Sequence, residues 1–300
     1  MPLQAIKSQI GNAEILQIVE CEIGGALKVL LPDATPENVK KIEWLKAPYR
    51  NEDFSLAAIS QCFIVKINSR ILVVDTCIGN DKNLIEVPDW QFLQLEFMET
   101  LEEIGLDRNA VTDVLCTHLH VDHIGWNTYS ENGKWLPTFP NAKYHFAKDE
   151  YDFWKDYSKQ DTAFGNAMAI AYEESVTPIV DAQLVNYIST DENLGDGISV
   201  FATPGHTHSH ISVKIEAGDE TFIIGGDMAH HPCQFAHPEW SLTMDADQKQ
   251  SEATRRKVLA ELSDTKTLFA GSHFKSPSFG LITNDDKGGF VFNGISKETS

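Results

Sequence analysis

The stretch Thr117-His118-Leu119-His120-Val121-Asp122-His123 decides the fold, because three histidines and an aspartate stand in it at fixed offsets. The apolar run Val111–Cys116 comes directly before it and predicts a strand. Loops that follow strands hold functional groups on a rigid scaffold, and imidazole and carboxylate groups are common metal ligands. The stretch therefore predicts a metal site at the end of a strand.

Three further apolar strands are each followed, after at least one glycine, by a histidine or an aspartate: Ile198–Ala202 by His206, Thr221–Ile224 by Asp227, and Thr267–Ala270 by His273. Glycine allows backbone segments to approach each other closely. The repeated pattern predicts that these side chains gather along one edge of the sheets.

Together these segments supply five imidazoles and two carboxylates as predicted metal ligands: His118, His120, His123, His206, His273, Asp122 and Asp227. One catalytic zinc with an open position needs fewer ligands. Seven are enough for two metals with three protein ligands each and one bridging carboxylate. Nitrogen and oxygen ligands without thiolates favour zinc and also suit manganese, iron or cobalt. The sequence therefore predicts two divalent metal ions as cofactors.

Strand-like and helix-like runs alternate along all 300 residues. Further predicted strands are Cys62–Ile67, Ile71–Val74 and Ile211–Ile215. Asn68-Ser69 and Ala217-Gly218-Asp219 are the predicted turns of two hairpins. The predicted helices are Trp90–Ile104, capped by Gly105, then Asp149–Asp156 and Gln248–Leu262. Because both halves show a similar order, we predict an α+β fold in which two mixed sheets face each other and helices cover the outside.

Composition limits the classes of partner. The formal net charge of −20, from 44 acidic and 24 basic residues, would repel a nucleic-acid backbone, so no nucleic-acid partner is expected. The five cysteines are scattered without CxxC spacing, which indicates small buried residues in a reducing compartment. No signal peptide or membrane span is visible, so we expect a cytoplasmic protein without a membrane partner.

The HxHxDH pattern of residues 118–123, followed by single His, Asp and His ligands, resembles the metallo-β-lactamase superfamily. The resemblance runs from about Phe54 to just after His273, and residues 73–79 resemble the family's first motif. It implies an αββα sandwich. We expect a single domain over residues 1–300, with residues 1–55 as an N-terminal extension that covers the pocket or forms a contact in a homodimer.

The resemblance also implies how the ligands are shared. One metal would be held by His118, His120 and His206, and the second by Asp122, His123 and His273, with Asp227 as the bridge. Asp75 is not a ligand in the family and resembles the aspartate that orients the site residues.

Finer features narrow the branch of the superfamily. Asp227 argues against the β-lactamases, which lack a carboxylate there, and His120 in place of a glutamate argues against flavodiiron oxygen reductases. Glyoxalase II has the same ligands, but no basic group in the C-terminal part suits glutathione. Residues 77–82, 125–128 and 137–142 resemble the branch of methyl parathion hydrolase and quorum-quenching lactonases. His230 stands where Bacillus-type acyl-homoserine lactonases carry a tyrosine.

This branch implies a metal-dependent hydrolase, esterase-like or lactonase-like, that acts on small carboxylic esters or lactones, including acyl-homoserine lactones, through a metal-bridging hydroxide. Asp122 and His230 are the expected catalytic residues. Asp122 would pass a proton to the leaving alkoxide, and His230 would help to stabilise the oxyanion. Two alternatives stay open: a phosphotriester or phosphodiester hydrolase on the same site, and a metal-binding domain without turnover.

Overall fold

The computed structural model describes residues 2–84, 87–159, 163–285 and 287–297. The chain divides into two compact units. The first consists of Met1–Lys7, Glu14–Glu20 and Gln61–Ser189, and the second of Ser8–Ala13, Cys21–Ser60 and Thr190–Ser300.

The strands are β1 (Gln4–Ile10), β2 (Ala13–Glu22), β3 (Ile59–Ile67), β4 (Arg70–Val74), β5 (Asp113–Leu115), β6 (Thr128–Glu131), β7 (Lys134–Pro137), β8 (Lys143–Ala147), β9 (Val185–Ile188), β10 (Glu192–Gly195), β11 (Ile198–Ala202), β12 (Ile211–Ala217), β13 (Glu220–Ile224), β14 (Leu268–Ala270), β15 (Phe279–Asn284) and β16 (Phe290–Gly294).

The helices are α1 (Gly24–Leu30), α2 (Pro36–Val39), α3 (Phe97–Glu103), α4 (Val121–Ile124), α5 (Lys148–Tyr157), α6 (Ala163–Ser175), α7 (Thr177–Asp181), α8 (Cys233–Ala236) and α9 (Gln248–Leu262). Short 3-10 turns lie at Pro88–Trp90, Arg108–Ala110, Gly125–Asn127 and Gly226–Met228. Among the described residues, no helix combines the length and the apolar character that a membrane crossing needs.

The first sheet has the strand order β1-β2-β3-β4-β5-β8-β9 and is mixed. Strand β3 pairs antiparallel with β4, whereas β4, β5, β8 and β9 run parallel to one another. Val74 lies opposite Leu115 in the register of β4 and β5. Because parallel neighbours end at the same edge of a sheet, the residues that follow these two strands leave the sheet side by side.

The second sheet has the order β10-β11-β12-β13-β14-β15-β16 and is also mixed. Strands β13 and β14 are parallel, with Ile224 opposite Ala270, and the other pairs are antiparallel. Ala202 at the end of β11 lies opposite Ile211 at the start of β12. The loops after β11, β13 and β14 therefore emerge at one edge of this sheet.

The predicted α+β architecture with two mixed sheets and helices is confirmed, and every predicted strand is present, some with shifted ends. Strand β3 is buried along almost its whole length, as expected of a central strand covered on both faces. Both predicted hairpins form, since β3 pairs with β4 and β12 pairs with β13.

The predicted helix Trp90–Ile104 is wrong over its first half, because α3 begins only at Phe97. The side chain of Asn80 binds the backbone N–H and the carbonyl of Leu95, both at 2.8 Å, so the chain before α3 pairs with Asn80. The predicted end is confirmed. Gly105 has a φ of 71° and its N–H donates to the carbonyl of Glu102, as a C-terminal cap does.

Candidate metal centre

In the first unit, the loop after β5 carries four of the predicted ligands. His118 is fully buried, His120 and His123 are nearly so, and Asp122 is half-buried. The Nε2 atom of His118 lies 3.0 Å from Nδ1 of His120. The structure thus brings two imidazole nitrogens to a common position.

The position of the proton on His118 follows from its neighbours. The hydroxyl of Thr117 donates to the carboxylate of Asp75 at 3.0 Å, so the same oxygen can only accept from Nδ1 of His118, 3.1 Å away. The proton of the neutral ring is therefore on Nδ1. Its Nε2 carries the lone pair that a metal ligand needs.

Asp75 arranges this loop from the end of β4. Its Oδ1 accepts from the backbone N–H of Thr117 at 2.8 Å, and its Oδ2 lies 2.9 Å from Nδ1 of His123. The ring of His123 therefore presents Nε2 as an acceptor, 3.7 Å from Oδ2 of Asp122. The contact between Asp75 and His123 is the one expected of a residue that orients a metal ligand.

A buried glutamate that sequence analysis did not identify holds the loop after Asp75. The carboxylate of Glu20, on β2, accepts from the backbone N–H groups of Ile78 and Gly79 at 2.8 and 2.9 Å. It also accepts from the indole N–H of Trp126 at 2.9 Å. These partners lie 58 or more positions away in the sequence, so no local pattern marks this role.

A second glutamate supports the ligand loop from α5. Glu150 is buried, and its Oε1 accepts from the indole of Trp154 at 2.6 Å and from the backbone N–H of Leu119 at 3.3 Å. Leu119 lies between His118 and His120, two of the predicted ligands. The ring of Trp154 packs edge-on against His120, with ring centroids 5.1 Å apart. Helix α5 therefore restrains both the backbone and one ring of this loop.

In the second unit, three imidazoles surround the carboxylate of Asp227. Its Oδ2 lies 3.0 Å from Nε2 of His230 and 3.5 Å from Nε2 of His206. Its Oδ1 lies 3.1 Å from Nε2 of His273. All four side chains are buried, and those of His206, Asp227 and His230 offer ligand atoms within 4.8 Å of one another.

The far sides of two of these rings are also held. Nδ1 of His206 lies 2.8 Å from Oδ1 of Asp245, and Nδ1 of His273 donates to the carbonyl of Ile59 at 3.0 Å. Both rings therefore turn an Nε2 lone pair toward the oxygens of Asp227. Buried acceptors that face each other are favourable only around a shared cation. The chemistry of this donor set fits a divalent metal.

Asp245 was missed by sequence analysis because it lies 39 positions from His206 and in no motif. Burial opposes its charge, but the hydrogen bond from His206 holds the pKa of the carboxyl below its ordinary value. Its Oδ2 accepts from the backbone N–H of Leu242 at 3.1 Å. A charged carboxylate on Nδ1 increases the basicity of the His206 ring.

The glycine before His206 serves a close approach of two backbones. Gly205 has a φ of 136°, and a Cβ atom there would lie 2.3 Å from the backbone of Ser251 on α9. Next to this contact, the N–H of Ala246 donates to the carbonyl of His206 and that of Asp247 to the carbonyl of Gly205, each at 3.0 Å. The start of α9 thereby fixes the loop of His206.

His230 differs from the other rings around Asp227. Burial lowers the pKa of its imidazole, against the raising effect of Asp227, so the ring is neutral near pH 7. Its Nε2 lies 3.0 Å from Oδ2 of Asp227, whereas its Nδ1 has no hydrogen-bond partner among the described residues. Its backbone N–H donates to the side chain of Gln234 at 2.7 Å, which restrains the backbone that carries the ring.

The cysteines behave as predicted from their scattered positions. Four are buried and Cys21 is half-buried. Burial raises the pKa of the thiols of Cys116 and Cys233, so both are neutral. They act as small packing residues near the site, since only a thiolate binds metal or attacks a substrate well.

The sequence profile of the metallo-β-lactamase superfamily matches residues 57–276. The chain belongs to this superfamily, as predicted. Metallo-beta-lactamase domain-containing protein 1 of Xenopus laevis is 27% identical over 132 residues, which are 44% of this chain and 43% of that protein. The match thus spans less than half of the length of this curated relative.

Two solved structures share the fold over nearly the whole chain. The hydrolase AbOPH of the β-lactamase superfamily has a TM-score of 0.80 at 22% identity, and the alignment covers 99% of each chain. AidC, a dizinc quorum-quenching lactonase in complex with a product, has a TM-score of 0.77 at 24% identity, over 98% of each chain. The predicted metallo-β-lactamase fold is confirmed.

Proposed function

We propose that the protein hydrolyses carboxylic esters or lactones with two divalent metal ions. Zinc is the first candidate, and manganese, iron and cobalt are the alternatives. The carboxylate of Asp227 carries the proposal. One of its oxygens faces His206 and the other faces His273, which is the arrangement that a bridging ligand needs.

In this proposal each metal has three further ligands: His118, His120 and His206 for the first, and Asp122, His123 and His273 for the second. The contacts within the first unit support this division. The nitrogens of His118 and His120 converge at 3.0 Å, while His123 approaches Asp122.

When bound, two such metals lower the pKa of a water molecule to about 7 and polarise the carbonyl of the substrate. Asp122 is half-buried beside His123, so its carboxylate can take a proton and pass it to the leaving alkoxide. The neutral ring of His230 carries one N–H, which can donate to the carbonyl oxygen as negative charge develops there.

The substrate class is a small ester or lactone. AidC is a quorum-quenching lactonase, so its likeness makes acyl-homoserine lactones the first lactones to test. A nucleic-acid or membrane partner is not part of the proposal, because the chain carries a net charge of −20. Homodimer formation and a cytoplasmic location stay predictions.

The test uses purified protein on p-nitrophenyl butyrate, an acyl-homoserine lactone and paraoxon, before and after removal of metal by a chelator. We expect turnover of the ester or the lactone, its loss with the chelator and its return with zinc. A clear preference for paraoxon would replace the proposal with phosphotriester hydrolysis. Cleavage that resists the chelator, or no cleavage of any substrate, would overturn it.

A further inference from the structure

A closed ring of hydrogen bonds surrounds the turn Gly225-Gly226-Asp227 in the second unit. The backbone N–H of Asp227 donates to Nε2 of His210 at 2.9 Å, and Nδ1 of His210 lies 2.8 Å from the hydroxyl of Thr203. That hydroxyl lies 2.9 Å from the hydroxyl of Ser212, which donates to the carbonyl of Gly225 at 3.0 Å. All of these residues are buried.

Each proton of this ring can be assigned. A backbone N–H only donates, so Nε2 of His210 must accept. The imidazole of His210 is therefore neutral, with its proton on Nδ1. Nδ1 therefore donates to Thr203. The hydrogen of Ser212 is used on the carbonyl of Gly225, so the hydroxyl of Thr203 must donate to Ser212. One direction of donation thus satisfies every member.

The same contacts exclude His210 as a metal ligand, because its Nε2 lone pair is occupied by the N–H of Asp227. The turn has little other freedom. Gly226 has a φ of 56°, and a Cβ atom on Gly225 would lie 2.2 Å from the ring of Phe269. The hydrogen bonds tie both ends of this turn to strand β12 and to the residues that flank β11 and β12.

We propose that His210 is a positioning residue that fixes the direction of the Asp227 carboxylate, and that Thr203 and Ser212 hold the tautomer that this task requires. The inference rests on the proposed role of Asp227 as the bridging ligand. A bridge must reach two metals at once, so a small rotation of its backbone weakens both bonds.

Two variants of His210 distinguish the roles of its two ring nitrogens. His210→Gln places an acceptor near the Nε2 position and keeps the bond to Asp227. His210→Asn places a donor near the Nδ1 position and keeps only the bond to Thr203. We expect His210→Asn to weaken zinc affinity by about 10- to 100-fold. The zinc affinity of His210→Gln should stay within about threefold of that of the unchanged protein.

Affinity is measured by competition with a chromogenic chelator on metal-free protein whose fold is checked by circular dichroism. A purely structural role would lower the thermal stability of both variants and leave their zinc affinities equal, and that result would overturn the inference. As a second arm, nitrogen NMR of the His210 ring should show the Nδ1–H tautomer in the unchanged protein and in Thr203→Ser, with loss of that pattern in Thr203→Val. An Nε2–H tautomer in the unchanged protein would also overturn it.

Asp227→Asn distinguishes this inference from the proposed function. If Asp227→Asn loses zinc while His210→Asn binds it normally, only the role of His210 fails. If Asp227→Asn keeps two zinc ions at unchanged affinity, the proposed bridge and the positioning role fail together.

Discussion

Several histidines of the candidate centre share one arrangement, in which an acceptor on the far side of the ring receives a hydrogen bond from the ring N–H. Asp75 does this for His123, and Asp245 does it for His206. The opposite nitrogen is then left as an acceptor in a fixed direction. Such partners increase both the rigidity and the basicity of a metal ligand.

This arrangement predicts the effect of Asp245→Asn. The amide keeps the shape of the side chain but loses the charge beside His206, so we expect zinc affinity to fall by about 10- to 100-fold in a folded protein. Chelator competition measures it. Asp247→Asn is the matched control, because Asp247 caps α9 and its side chain accepts from Gln250. Equal affinities in the two variants would contradict the role of Asp245.

His230 is predicted to act on the substrate and not on the metals. His230→Phe preserves the ring volume and removes the N–H, so we expect kcat to fall by about 100- to 1,000-fold, as for loss of an oxyanion donor. Metal analysis should still find two ions per chain. His208→Ala, at an exposed histidine, is the control. An unchanged kcat in His230→Phe would reduce His230 to a packing residue.

Helix α9 also supports the site, through the fully buried Arg255. The guanidinium donates to the carbonyls of Met228, Pro238 and Trp240 at 3.0 to 3.2 Å and to the hydroxyls of two serines. The segment after Asp227 is thereby tied to one side chain.

Replacement of Arg255 should therefore destabilise the protein strongly. Arg255→Met leaves several buried carbonyls without donors, and we expect the free energy of unfolding to fall by about 3 kcal/mol or more. Arg256→Met is the neighbouring control, since Arg256 is 43% exposed and forms ion pairs with Glu239 and Glu252. Its loss should change stability by about 1 kcal/mol or less. Urea unfolding compares them, and similar losses would contradict the account.

The elements also show what a sequence can reveal. Apolar runs predicted the strands that end at the site, because buried strands need β-branched and aromatic residues. The start of α3 could not be predicted, since the side chain of Asn80 overrides the helical pattern. Strand β2 was not identified either. Its charged Glu20 is buried only because distant backbone groups satisfy it.

For the whole molecule, the family and the candidate ligands were predictable because the ligand pattern is local in sequence. The residues that orient the ligands were not, apart from Asp75. Glu150, Asp245 and His210 meet their partners only after folding, at sequence separations from 17 to 39 residues. No periodicity or motif encodes such pairs, so structure is needed to find them.

The stability of the metal-free protein should fall in mild acid because of His231. Burial lowers the pKa of its ring from 6.5 to about 4, although the carbonyl of Tyr49 accepts from it. Between these values the unfolded chain binds a proton that the folded chain does not. The free energy of unfolding should therefore decrease by about 3 kcal/mol from pH 7 to pH 4 through this residue.

Urea unfolding at pH 7 and pH 4.5 measures this effect, with His231→Gln as the comparison. Glutamine does not titrate, so the variant should lose clearly less stability between the two pH values. An equal loss in both proteins would show that His231 is not responsible.

The most direct test of the central claim is the metal content of the purified protein, measured by inductively coupled plasma mass spectrometry. The proposed ligand set predicts about two divalent ions per chain, in line with a two-metal site. A chain that is folded and active with one ion, or with none, would contradict it.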